Sequence, residues 1–156
     1  MLTQLFISGG LLLLVEALGL IVVTVAIHAL GFDALLRAVI RSHALAMSGF
    51  LRVTLLVIGM TCWVILIHLV EISIWALFYF WQGCLPDAES AFYFSGVTYT
   101  TVGYGDLVLP KPWRILAPLE ALTAIIMFGL STGLFFAVVN RLISNWTRWK
   151  TAVESH

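Results

Sequence analysis

Residues Thr101-Val102-Gly103-Tyr104-Gly105-Asp106 set two glycines one residue apart behind a threonine, in a loop that follows an aromatic stretch and lies between two long apolar segments. The chemistry open to such a loop resides in its main chain. A cation leaving water loses a shell of oxygens, and a dry path must return oxygens at similar distance and field strength. Successive carbonyls can do this only if they turn toward one axis, which asks the backbone to alternate between conformations that a Cβ disfavours. Gly103 and Gly105 are where the left-handed conformation is cheap. Thr101 adds a hydroxyl as the innermost ligand. Val102 and Tyr104 then point away from the axis, where they can pack behind the carbonyls and fix the diameter.

The elements that must position this loop are membrane spans. Of the 156 residues 62% are hydrophobic and 10% charged, and the mean hydropathy is +1.06. Most of the surface therefore has to be satisfied by lipid or by other subunits, which argues against a soluble fold. Leu5–Leu30, about Leu51–Phe80 and Ile115–Val139 each exceed the roughly 20 residues a bilayer requires. The first lacks a positive leading region and outruns a secretion-signal core, so it is expected to be a retained helix. The loop between the second and third is too short to cross and return, so it enters and leaves from one side. Non-helical backbone is tolerated at depth only where protein or water surrounds it. Before it, Asp87 after Pro86 predicts an N-cap for a short helix from Ala88 to about Tyr99, whose negative end favours a cation.

The basic residues give an orientation. Arg37, Arg41 and Arg52 lie between the first and second helices, and Arg141, Arg148 and Lys150 follow the third, while Lys111 and Arg114 share the loop side with Asp87, Glu89 and Asp106. The positive-inside rule then places the amino terminus outside and the carboxyl terminus in the cytoplasm. The formal net charge of zero points to no partner class, nucleic acid included. Cys62 and Cys84 would lie roughly 33 Å apart on one helix, so they cannot pair within the chain. Two unpaired small hydrophobes is the reading preferred over an intersubunit Cys84 bridge.

From Arg52 to Arg141 the chain resembles the potassium-channel pore superfamily, which includes small bacterial channels with one pore loop per subunit. The resemblance rests on Thr100-Thr101-Val102-Gly103-Tyr104-Gly105-Asp106, an aromatic helix before it and a glycine-bearing helix after it. It implies an all-α membrane protein: three transmembrane helices, with a re-entrant pore helix and selectivity-filter loop between helices two and three. Residues 1–50 would form an amino-terminal helix and cytoplasmic linker, 51–141 the pore module and 142–156 a short cytoplasmic tail. By the same resemblance carbonyls of Thr101, Val102, Gly103 and Tyr104 coordinate potassium, with Gly105 completing the filter. Asp106 guards the outer mouth, and Thr100, Thr98, Tyr93 and Phe94 support it. The potassium is cargo, and no cofactor is implied. One strand per chain cannot surround an ion, so a homotetramer in a plasma membrane, a bacterial inner membrane, is implied.

Departures from the family pattern affect the support. Tyr93-Phe94 stands where many members have a Trp pair, and Val97 where some have a glutamate that contacts the filter aspartate. The first helix has no counterpart in two-helix members. Gly129 and Gly133 are candidates either for a gating bend, with Gly129 preferred, or for close helix packing. Phe135, Phe136 and Val139 are candidates for an apolar constriction.

Ionisable residues within spans are functional candidates. Glu16 lies near the middle of helix one, His68 and Glu71 one turn apart on helix two, and Glu120 in the outer half of helix three, beside the short helix. His68 and Glu71 supply only two ligands, fewer than a metal site usually needs. Structural hydrogen bonding is favoured for them over pH sensing, and His28 is a weaker candidate. Asp33 to about Ala46 suits a helix lying on the inner surface. No span repeats basic residues as a voltage sensor would, and the tail after Arg141 is too short for an ordinary ligand-binding domain. Competing classes are a non-selective cation channel and a non-conducting accessory subunit. An enzyme is disfavoured because Gly103-Tyr104-Gly105 lacks a P-loop lysine and the strand-to-helix context of a nucleotide site.

Overall fold

The computed structural model describes residues 2–41 and 50–154, with side chains over 10–41, 51 and 53–144. It contains α1 (Leu2–Arg41), α2 (Phe50–Trp81), α3 (Ala88–Tyr99) and α4 (Leu116–Glu154), with a 3-10 turn at Lys111–Trp113 before α4 and no strand among the described residues. Three helices are long and apolar enough to cross a membrane, over Gly10–Arg41, Val53–Trp81 and Lys111–Ser144. The many Val and Ile residues in them have modest helix propensity in water. Lipid offers no competing partner for the backbone, so a fully bonded helix wins there.

Local chemistry decides the helix ends. α2 stops where Gly83 adopts φ 63°, with Gly83 N–H donating to Phe80 O and Cys84 N–H to Tyr79 O, a Schellman closure that only a residue at ease in the left-handed region completes cheaply. Asp87 then caps α3 by accepting from the Ser90 amide at 2.8 Å. That amide holds the Asp87 carboxyl below its ordinary range. The cap and the span Ala88–Tyr99 are those read from the sequence.

One expectation needs correction. α1 does not end near Leu30 and give way to a separate surface helix; it runs on as helix to Arg41. Gly31 causes no break because it is a contact point: a Cβ there would come within 2.6 Å of Ile67 Cδ1, and its carbonyl accepts from Trp63 Nε1. Leu35 and Val39, one turn apart, are buried against Met60, Val138 and Leu142, so they face the bundle. The rest of that segment, 42–46, and the side chains of Arg52, Arg148 and Lys150 lie outside the described residues. α4 remains helical into the segment expected as the tail, to Glu154.

Packing separates into two ends. Around α3 lies an aromatic core in which Trp75, Tyr79, Phe94, Leu109 and Leu116 meet Ala17 of α1. At the opposite end a sparser aliphatic core joins α1, α2 and α4 through Leu35, Val39, Met60, Val138 and Leu142. Hence the end of α1, the start of α2 and the far part of α4 share one end. The Thr101–Asp106 loop occupies the other.

Candidate functional site

α3 ends as α2 does, but with a threonine in the left-handed position. Thr101 N–H donates to Thr98 O at 2.9 Å and Val102 N–H to Val97 O at 3.0 Å, while Gly103 N–H also reaches Val97 O at 3.2 Å. The chain thus leaves the helix through Thr101 at φ 62°, and Gly103 at φ 54° and Gly105 at φ 77° repeat the left-handed state at every second residue. Thr101 is the one non-glycine residue with positive φ among those described, a placement that costs roughly 1–2 kcal/mol. The last turn of α3 compensates by closing its carbonyls on the loop amides. The sequence marks Gly103 and Gly105 for the left-handed region and Thr101 only as a ligand, because the conformational demand on Thr101 comes from closing the helix.

The far end of the loop is tied back to α3. Tyr93 Oη donates to Asp106 Oδ2 at 2.7 Å. This bond holds the Asp106 carboxyl below its ordinary value, and the carboxylate raises the Tyr93 phenol in turn. Tyr93 therefore braces Asp106, with Val97 instead lending its carbonyl to the loop amides. Phe94 packs edge-on against Tyr79 with centroids 5.4 Å apart. Thr100 bonds back to Gly96 O at 2.7 Å, and Arg114 Nε donates to Leu109 O at 3.1 Å, fixing the exit.

Two buried polar clusters hold α3 from behind. In the first, Glu120 of α4 is fully buried and accepts from Tyr79 Oη at 2.7 Å and from Ser95 Oγ at 2.5 Å. In the second, Glu71 accepts from Tyr99 Oη, and its two oxygens lie 2.8 Å from His28 Nδ1 and 3.1 Å from His68 Nδ1. Ser131 Oγ of α4 sits 3.2 Å from His68 Nε2 and 3.5 Å from His28 Nε2. The expected His68–Glu71 pair is present. Tyr79, Ser95, Tyr99, Ser131 and the central place of His28 were missed. Buried polar residues in apolar helices were the available signal, but their pairing crosses helices and spacing along one helix cannot reveal it.

The other candidates fall outside these clusters. Glu16 lies within α1, level with the end of α2, where Gln82 Nε2 donates to it at 3.3 Å. A methyl group added at Gly129 or Gly133 would meet nothing within 4 Å, so no helix of the same chain packs closely there. Phe136 is exposed, whereas Phe135 joins the aliphatic core. Cys62 is exposed and Cys84 buried, both free.

With this geometry in place, the fold defines a polytopic α-helical membrane protein. Residues 65–141, from within α2 through α3 and the loop to Arg141 of α4, match the ion channel family. The match indicates an ion channel and is consistent with a small potassium-channel-like protein, although it begins at Ile65, not at Arg52. No curated protein and no solved structure matches the chain.

Proposed function

We propose that the protein is a potassium-selective channel in which Thr101–Gly105 is the selectivity filter and α3 the re-entrant pore helix of a homotetramer. The observation that carries this reading is the left-handed backbone at residues 101, 103 and 105. Alternating the sign of φ at successive residues brings consecutive carbonyls to the same side of the chain. Four such strands around an axis supply rings of oxygens that replace the hydration shell of potassium.

The single chain also carries what assembly would use. Val102 is 51% exposed and Tyr104 73% exposed, an unfavourable state for two apolar side chains that neighbours around an axis would relieve. Between the loop at Thr101, Gly103 and Gly105 and the helix residues Tyr93, Val97 and Pro118 lies an open cavity of about 440 Å³, space that an adjacent subunit would fill. In this arrangement α2 is the outer helix and α4 the inner helix. Gly129 is the preferred bend, α1 flanks the pore module, and the amino terminus lies outside with the carboxyl terminus in the cytoplasm. Transport is passive and involves no catalytic residue.

The test is a flux assay on purified protein in liposomes, with potassium against sodium gradients and barium as blocker. Gly103→Ala is the decisive variant. A Cβ there meets no atom of the same chain, so its effect comes from the φ of 54°, which the new side chain opposes. Selective, barium-sensitive flux that disappears in Gly103→Ala is the expected result. Flux that survives the substitution, or that ignores the difference between potassium and sodium, rejects the assignment.

A further inference from the structure

Beyond conduction, we infer that His28, His68 and Glu71 form a binding site for one divalent transition-metal ion of the zinc class, built between α1 and α2. One ligand atom from each residue lies within 4.8 Å of the others. Glu71 is fully buried and His28 is 2% exposed. An ion held at about 2.0–2.2 Å by imidazole nitrogens and a carboxylate oxygen needs its ligand atoms roughly 3.4 Å apart. Glu71 Oε1 stands 2.8 Å from His28 Nδ1 and Oε2 3.1 Å from His68 Nδ1, so an ion placed between them needs each contact to open by less than about 1 Å, with the carboxylate presenting one oxygen or both.

The surroundings fit a metal in a second respect. Ligating histidines almost always donate the other ring N–H to an oxygen, which fixes the tautomer. Here both Nε2 atoms face Ser131 Oγ, at 3.2 Å and 3.5 Å, leaving both Nδ1 atoms to the carboxylate. Tyr99 Oη, beside Glu71 and 3.1 Å from His68 Nδ1, is a fourth polar atom at the same place. Two imidazoles and a carboxylate suit Zn²⁺ or Co²⁺, whereas Mg²⁺ and Ca²⁺ ask for six or more oxygens. The competing reading is a network held by protons alone, since the same groups also satisfy one another as hydrogen-bond partners. The site would join α1 to the bundle beside Tyr99, two residues before Thr101.

The experiment uses the full-length untagged chain carrying Cys62→Ser and Cys84→Ser, so that thiols do not contribute, stripped with a chelator and kept in detergent. Zn²⁺ binding is measured by calorimetry, and Co²⁺ binding by its visible absorption. The expected result is one ion per chain, a tetrahedral-type Co²⁺ spectrum and no competition from Mg²⁺. His28→Asn and Glu71→Gln, each checked for an unchanged assembly size, should weaken binding by at least about 100-fold, and Ser131→Ala by about 10-fold. Glu71→Gln keeps the shape and a polar group if the histidine variant does not fold. Absence of stoichiometric binding overturns the site, as does binding indifferent to both substitutions, which would place the ion on His43 or His156. Because the readout is binding and not flux, its outcome is separate from that of the conduction assay.

Discussion

The two polar clusters behind α3 grip it one helical turn apart, at Ser95 and Tyr99, yet they are built on different principles. Around Ser95, a carboxylate receives hydroxyl donors from α2 and α3, and all three residues lie within 65–141. Around Tyr99, a carboxylate is flanked by two imidazoles whose nitrogens can donate or accept, and one of them, His28, comes from α1, outside the matched segment. The first cluster is anchored to backbone as well as side chains, since Ser95 Oγ lies 2.9 Å from Ile72 O and 2.5 Å from Glu120, and it serves as a fixed post. The second is made of side chains from three helices besides α3, and it reaches α4 at Ser131, between Gly129 and Gly133. The same short helix is thus fixed toward its middle by α2 and α4 and at its end by a group to which α1 contributes.

Loss of the fixed post should have the largest effect. Glu120→Ala leaves the buried Tyr79 hydroxyl without its acceptor, Ser95 retaining Ile72 O, and removes side-chain volume, a loss on the order of 3 kcal/mol. Thermal unfolding in detergent reads it, and Glu120→Gln, which keeps an acceptor, should lose less than half as much. Equal losses for the two variants would mean that volume, not hydrogen bonding, is what Glu120 provides.

The second cluster should be softer. His28→Ala and His68→Ala each remove one partner of Glu71, with an expected loss of about 1–2 kcal/mol apiece. Because both act through the same carboxylate, the double variant should differ from the sum by at least about 0.5 kcal/mol. Strict additivity would show that α1 is packed beside α2 without being coupled to it through Glu71. Next in size is Gly129→Ala. With no atom of the same chain within 4 Å of an added Cβ, alanine in a helix interior should raise the unfolding midpoint, by the equivalent of about 0.5–1 kcal/mol, while reducing flux if bending at Gly129 opens the inner mouth. A variant that is more stable and conducts as before assigns no bend to this position.

What the sequence disclosed and what it withheld follow one physical line. α3 was legible to the residue because its signals are local: Pro86, the Asp87 cap and the amide of Ser90 lie within one turn. The three spans were legible because lipid imposes length and composition on each helix separately. Interactions between helices were not. His68 and Glu71 share a helix face and were paired in advance, whereas His28 is 43 positions from Glu71 and gave no sign of its partner. The amphipathic pattern of Asp33–Arg41 is equally suited to a membrane surface and to a helix bundle. Only the presence of Met60, Val138 and Leu142 under Leu35 and Val39 decides between them.

The smallest effect tests the front of α3 against its back. Tyr93 meets Asp106 at the exposed end of the loop, so Tyr93→Phe should leave the thermal midpoint unchanged, in contrast with every substitution in the buried clusters. Its signature should appear in the pH dependence of flux. The Tyr93 hydroxyl depresses the Asp106 carboxyl in the folded chain. The contact is therefore intact above the ordinary aspartate range and is lost as pH falls through the depressed native value. Without the hydroxyl, Asp106 takes up its proton at higher pH, and the acidic limb of the flux profile should move upward. An acidic limb that stays in place in Tyr93→Phe and vanishes in Asp106→Asn would show that the aspartate acts on the ion directly, with the brace from α3 playing no part.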